Sequence, residues 1–353
     1  MTTPITEVEA VLAARLAELT LALCRTASPT GAERALCDEL ERWGHSRGLP
    51  QQRVGNSLLI EGAKPLLLAG HLDTVPAYPG EGESRREGER VYGKGASDMK
   101  GGLAVILALL EDLPQAQRPF VVLYDREEGP YAENGLEHLF AAGLLPRATI
   151  AVCLEPTDNR LQLGCVGSLH ATVRFRGQAA HSARPWEGSN AVHAAGALLT
   201  SLASAQPRAV EVDGLTYHEV THVTRAAGGW ARNVIPDLFE LNLNHRFAPG
   251  VSLDQAVADV REIVGSTAEV EFSDLSPSGP TCAANPELQR LRAQGLAVEA
   301  KQAWTDVARF GVHGIDAINF GPGQPAQAHQ RDEWCDVPAL ARAYLVLHAW
   351  LAR

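Results

Sequence analysis

The 353-residue chain has no long apolar run: its most continuous helix-like one, Leu103 to Leu110, falls far short of the roughly 20 residues a bilayer span needs. It has no CxxC pair and no dense cysteine framework. Its six cysteines (Cys24, Cys37, Cys153, Cys165, Cys282, Cys335) are dispersed, several in apolar context, and read as reduced thiols of a cytoplasmic protein. It also lacks a basic cluster, and a net charge of −11 argues against a nucleic-acid or anionic-membrane surface. No basic segment opens the chain. Glu7, Glu9, Arg15 and Glu18 interrupt the apolar residues of an amphipathic N-terminal helix, which is not the pattern of a signal peptide. Internal repeats and low-complexity tracts are absent too. What remains is ordinary soluble globular composition, 45% hydrophobic and 21% charged, with enough length for two domains that each bury a core.

Against that plain background, several apolar runs of strand length end in residues that bind metals. Leu66 to Gly70 ends in His71, with Asp73 two residues on. Residues i and i+2 of a strand share a side, so Asp73 can sit behind His71 and fix the tautomer of a metal-bound imidazole. Pro119 to Tyr124 runs into Asp125-Arg126-Glu127-Glu128-Gly129, and Ala148 to Leu154 into Glu155-Pro156. Ile315 to Phe320 runs into a Gly-Pro-Gly turn, with His329 shortly after. Between the first two lies a Gly-rich turn, Tyr92 to Gly102, that carries Asp98 into an apolar helix. Function in an open α/β sheet collects beyond the carboxyl ends of its strands. Two imidazoles and several carboxylates gathered there suit a pair of divalent metals.

The N-terminal portion alternates helix, strand and turn signals, as a mostly parallel sheet with helices on both faces does. The character changes near Gly167, where Leu169, Ala171, Val173 and Phe175 alternate with polar residues. A helix carrying Val192, Ala195, Leu198, Leu199 and Leu202 follows, then strands around Tyr217 to Arg225 and Pro236 to Phe247. Ser252 with Gln255 reads as a capping box, and Ala268 to Phe272 as a last strand. This βαββαβ order is that of a ferredoxin-like unit. Ser276-Pro277-Ser278-Gly279-Pro280 reads as a linker. The expected architecture is a mixed, mostly parallel α/β catalytic domain, residues 1–167 and 277–353, interrupted by an inserted ferredoxin-like α+β domain, residues 168–276. The charged stretch Tyr78 to Arg90 reads as a solvated loop.

From Ser28-Pro29-Thr30-Gly31-Ala32-Glu33 to Ala328-His329-Gln330-Arg331-Asp332-Glu333-Trp334, the chain resembles the co-catalytic dizinc amidohydrolases. That family includes desuccinylases, deacetylases, aminoacylases and glutamate carboxypeptidases. Its desuccinylase branch is the most similar in wording, through Leu154-Glu155-Pro156-Thr157, Ala180-His181-Ser182-Ala183-Arg184-Pro185 and Trp304-Thr305-Asp306-Val307-Ala308-Arg309-Phe310.

The resemblance implies that His71 and Glu155 hold one zinc, Glu128 and His329 the other, and Asp98 bridges them, with cobalt or manganese as substitutes. Asp73 would orient His71, and Glu127 would be the general base. His181, in the inserted domain, would reach a partner subunit's site in a homodimer and donate to the oxyanion. Arg184, Asn233, Arg246 and Arg309 would bind an acidic substrate. Local sequence leaves other readings open. Asp98 also suits a helix cap, Glu155 a strand-end surface residue, His329 an exposed loop, and Glu127-Glu128 a solvated turn. His181 and Arg184 also suit structural and surface roles.

The family position implies cleavage of N-succinyl-L,L-2,6-diaminopimelate, a step in making diaminopimelate and lysine. The alternatives are another N-acyl amino acid such as N-acetylornithine, or peptidase activity. One departure stands out: where better-known desuccinylases carry a substrate-binding arginine, Leu163-Gly164-Cys165-Val166-Gly167 has none.

Overall fold

The computed structural model describes residues 7–352. The expected catalytic portion begins at residue 1, so its first six residues lie outside those described. Along the chain come α1 (Glu7–Arg25), α2 (Arg34–Ser46), β1 (Gln51–Val54), β2 (Ser57–Ile60), β3 (Lys64–His71), β4 (Arg85–Glu87) and β5 (Arg90–Tyr92). Next are α3 (Gly101–Asp112), β6 (Pro119–Tyr124), α4 (Gly135–Ala141), β7 (Ile150–Cys153), β8 (Leu161–Leu163), β9 (Gly167–Arg176), α5 (Ala191–Ala194) and α6 (Gly196–Ser204). Then follow β10 (Arg208–Val212), β11 (Leu215–Gly228), β12 (Leu238–Phe247), α7 (Leu253–Val264) and β13 (Glu269–Ser276). The chain closes with α8 (Pro286–Arg292), β14 (Val298–Ala300), α9 (Val307–Val312), β15 (Ala317–Asn319), β16 (Trp334–Asp336) and α10 (Val337–Leu351).

These elements form two compact units. The larger takes the chain up to Gly164, Pro280–Ala300 and everything from Arg309 on; the smaller takes Cys165–Gly279 and Lys301–Ala308. The larger is an α/β fold around an eight-stranded mixed sheet of order β1-β2-β6-β3-β7-β15-β8-β14. Its centre, β6-β3-β7-β15, is parallel throughout. Central parallel strands are covered on both faces and read as unbroken apolar runs. Accordingly Leu67, Leu68 and Ala69 of β3, Val121 to Leu123 of β6 and Ile150 to Val152 of β7 are all fully buried. Every residue of α3 from Gly101 to Leu110 is buried as well, against β3 and α10. The result is that β3, β6, β7 and β15 all end on one side of the sheet, which sets the position of the residues that follow them.

Tyr78 to Arg90, expected to be a loop, contains a hairpin: β4 pairs with β5, which pairs with β16. Gly88, at φ +58, makes its turn, and the charges face outward, so the alternation is hidden among polar side chains.

The smaller unit is a five-stranded antiparallel sheet of order β10-β11-β12-β9-β13. Without β10 this is the ferredoxin-like arrangement; β10 is an extra edge strand that the sequence reading passes over. Leu169, Ala171, Val173 and Phe175 of β9 pack with Leu241, Leu243 and Phe247 of β12 and with Ala256, Val260 and Val264 of α7. Ser252 caps α7 by accepting from the Gln255 N–H, but Gln255 turns its amide to Asp259, so only half of the capping box forms. Among the described residues no helix is long and apolar enough to cross a membrane, and no disulfide joins any two cysteines.

Candidate active site

Beyond the carboxyl ends of the central strands the side chains converge. His71 is the last residue of β3 and is 1% exposed. Its Nδ1–H donates to the Asp73 carbonyl at 2.9 Å, so in the neutral ring Nε2 is the nitrogen free to bind a metal. That nitrogen lies 3.2 Å from Asp98 Oδ1 and 3.8 Å from Glu155 Oε1. The other Asp98 oxygen is 3.7 Å from His329 Nε2, which is itself 2.8 Å from Glu128 Oε1. Asp98 thus stands between two donor sets, His71 with Glu155 and Glu128 with His329. In each trio that includes Asp98, one ligand atom per residue lies within 4.8 Å of the others, and so does the trio of His71, Glu127 and Glu128.

The Asp73 carboxylate lies behind His71, 3.6 Å from Nδ1, and its oxygens also hold the turn that follows β6. One accepts the Glu127 N–H at 2.9 Å; the other accepts the Glu128 N–H at 3.0 Å and the Thr30 hydroxyl at 2.9 Å. Asp73 therefore fixes the backbone of the Glu-Glu pair, and its carbonyl orients the imidazole. Arg126, at φ +60, turns the chain just before that pair.

Asp98 does not cap α3: the helix begins at Gly101, and Asp98 occupies a non-helical turn with a cis bond to Met99. Glu333, to which the sequence reading gives no role, holds this turn. Its buried carboxylate accepts N–H groups from Gly95 at 2.9 Å, Ser97 at 2.8 Å and Asp98 at 2.9 Å. Burial pushes its pKa up to about 7 against the pull of those three donors. A lone glutamate has no periodicity to mark it, and only its place four residues after His329 could have drawn attention.

The electrostatics of this cluster fit divalent cations. Four carboxylates, Asp98, Glu127, Glu128 and Glu155, surround two imidazoles. Burial pulls the His71 pKa down, yet its carboxylate neighbours hold it well above its ordinary value. The Glu128 carboxylate likewise raises His329. The field here favours positive charge, and imidazole nitrogen with carboxylate oxygen is a donor set suited to zinc.

The remaining expected residues fall elsewhere. His181 lies in a loop of the smaller unit tied to the Asn233 loop, Ser182 N–H donating to the Asn233 carbonyl at 2.9 Å. His181 Nδ1 accepts the Ala183 N–H at 3.1 Å, so the neutral ring carries its proton on Nε2 and can donate it outward. Asn233 is exposed, as is Arg184, 3.8 Å from Glu187. Arg246 is half-buried on the polar face of β12, its Nε donating to Asn244 at 2.9 Å.

Arg309 requires a correction. Expected to meet substrate, it is 0% exposed in the larger unit. Its guanidinium donates to the Tyr131 carbonyl at 2.7 Å and to Glu137 at 2.9 Å and stacks on the Tyr131 ring at 3.9 Å. Its charge stabilises the Tyr131–Glu137 turn. Arg309→Met should cost about 1.5–3 kcal/mol, the worth of hydrogen bonds to a charged group. Thermal melting should show the loss while KM stays unchanged; a raised KM at constant melting temperature would return Arg309 to the substrate.

Sequence and fold comparisons agree with this geometry. The model of Peptidase family M20/M25/M40 matches residues 67–353. The chain is 39% identical over 346 residues to a Mycobacterium tuberculosis protein provisionally named succinyl-diaminopimelate desuccinylase, covering 95% of this chain and 97% of that one. It is 36% identical over 357 residues to the succinyl-diaminopimelate desuccinylase of Corynebacterium glutamicum, covering 95% of each. In fold it is similar to a dinuclear metal binding peptidase of Bacillus subtilis, with a TM-score of 0.71 at 16% identity, over 97% of this chain and 98% of that one.

Proposed function

The chain belongs to peptidase family M20/M25/M40 and is a metal-dependent amide hydrolase, and from that premise we propose that it releases succinate from N-succinyl-L,L-2,6-diaminopimelate in the cytoplasm. The observation that carries the chemistry is the donor cluster of His71, Asp98, Glu128, Glu155 and His329 with Glu127 beside it. Near full-length identity to a named desuccinylase supports the substrate.

Two divalent ions held there supply an acidified water and a polarised carbonyl. The chain's residues do the rest. Glu127 faces the same space as His71 and Glu128, and its backbone is held by Asp73. Its carboxylate takes a proton from the attacking water and delivers it to the leaving nitrogen. His181 Nε2–H donates to the oxyanion of the tetrahedral intermediate, and Arg184, Asn233 and Arg246 bind the polar ends of an acidic substrate. His181 does this across a homodimer formed by the smaller unit. The two edge strands of that unit's sheet, β10 and β13, are open for such pairing.

Cys165 favours a second reading. It is fully buried, its Sγ 3.5 Å from the Thr305 carbonyl, and Gly279 and Ala308 close over it, leaving no room for an arginine. An uncharged acyl group, as in N-acetylornithine, suits a site without that charge. Metal-loaded protein offered both substrates decides: the succinyl compound should have the larger kcat/KM, and faster hydrolysis of N-acetylornithine would overturn the assignment.

The dimer has its own test. His181→Ala should lose about 10²–10³ in turnover with metal content intact, the usual cost of one oxyanion donor. Mixing it with a Glu127→Gln chain should restore part of the activity, because one site of the heterodimer regains both groups. No recovery, or full activity in a strictly monomeric protein, would sink action in trans.

A further inference from the structure

His329 is unlike the other four proposed ligands. Its side chain is 52% exposed, while those of His71, Asp98, Glu128 and Glu155 are no more than 11% exposed. Packing fixes those four, so His329 needs another means of being held. It stands on no helix or strand, between the Pro325–Gln327 turn and β16. Its backbone is left-handed, at φ +62, as is that of Asp332, at φ +53. Residues with a side chain are unfavourable there, and the conformation persists only where neighbours hold it.

Those neighbours come from the far end of the sequence. The Tyr78 hydroxyl donates to the His329 carbonyl at 3.0 Å, across 251 positions. Lys94 Nζ donates to the next carbonyl, that of Gln330, at 2.9 Å. Arg331 returns the contact, its guanidinium donating to the Pro79 carbonyl at 3.0 Å. Tyr78 ties these together. Lys94 Nζ lies over its ring 5.0 Å from the centroid, and the Arg331 guanidinium carbon at 5.1 Å, both within cation–π range. Glu81 supports both donors, one oxygen accepting the Tyr78 N–H at 2.8 Å and the other lying 3.3 Å from Lys94 Nζ. The whole brace belongs to the larger unit.

We infer that Tyr78 is a positioning residue for the second metal. Its hydroxyl fixes the His329 backbone and so keeps the imidazole Nε2 at 2.8 Å from Glu128 and 3.7 Å from Asp98. Lys94 assists by holding Gln330. A ligand already in place need not be ordered when the ion arrives, so loosening the brace weakens the ion that His329 holds and spares the other. The inference rests on His329 being a ligand, and its test separates the two.

The test is calorimetric titration of metal-free, full-length protein with zinc, resolving the two ions. Tyr78→Phe removes the hydroxyl and keeps the ring beside Lys94 and Arg331. It should weaken one ion by about 10–100-fold, the usual effect of losing a group that orients a ligand, and leave the other unchanged. His329→Ala should lose that ion, and adding Tyr78→Phe to it should not alter the ion that remains. Lys94→Met should weaken the same ion, and it decides the matter if Tyr78→Phe fails to fold. If His329→Ala binds both ions with unchanged affinity, the ligand assignment fails and the inference with it. If His329→Ala loses an ion while Tyr78→Phe binds both undiminished, the assignment stands and the role of Tyr78 is overturned. Equal weakening of both ions in Tyr78→Phe would also overturn it, by making the brace a general support of the fold.

Discussion

Glu127→Gln should keep both metals and lose turnover by about 10²–10⁴-fold, the usual worth of general acid–base catalysis. The substitution is nearly isosteric and leaves the backbone N–H of residue 127 on Asp73, so the turn should not move. It also leaves the trios His71-Asp98-Glu155 and Asp98-Glu128-His329 complete. Only the capacity to take up a proton disappears. Atomic emission on the dialysed variant measures the metals, and steady-state kinetics the loss. If the variant instead sheds a metal while keeping a residual rate, Glu127 and Glu128 have exchanged roles.

Dialysis against a chelator should abolish activity, and added zinc should restore it. Stability gives a readout independent of turnover. Without cations, Asp98, Glu127, Glu128 and Glu155 face one another with only two imidazoles to offset them, so the metal-free protein should melt at lower temperature. A ligand present at about 1,000 times its dissociation constant stabilises by about 4 kcal/mol. Reloading should also release protons, since the carboxylates hold His71 and His329 above their ordinary pKa and metal binding requires neutral rings. Full activity in demonstrably metal-free protein would end this mechanism.

The candidate donor cluster is legible in the sequence because its residues follow buried parallel strands, whose unbroken apolar runs mark where each strand stops. His71, Glu128 and Glu155 stand just at or beyond such ends, and the resemblance supplies their proposed roles as ligands. The alternation in β9 likewise announced an antiparallel sheet with one wet face. Where neither pattern operates, the reading failed for physical reasons. The strands β4 and β10 are short and mostly exposed, so no apolar period marks them. The Ser276 to Pro280 linker suggested one return to the larger unit, yet Lys301–Ala308 goes back to the smaller one before the chain leaves it finally. Arg309 and Glu333 are buried charges whose partners are remote in sequence, at Tyr131 and Glu137 and at Gly95 to Asp98. Nothing local separates such residues from surface charges.

The order of strands in the larger unit bears on how the protein is made. Strand β15, residues 317 to 319, sits between β7 and β8, which leave the ribosome more than 150 residues earlier. The eight-stranded sheet cannot close until residues 317–319 have emerged. Most of the smaller unit is synthesised by Gly279, with a continuous sheet and core of its own, and can fold while the sheet around β7 still waits for its neighbour. His329 and Glu333 emerge later still, so the nascent chain can present His71, Asp98 and Glu155 but not the second donor set. Hydrolytic competence therefore waits for the chain to emerge through Glu333. Until then the exposed flank of β7 is an open strand edge, the surface most prone to mispairing and the one a chaperone would have reason to cover.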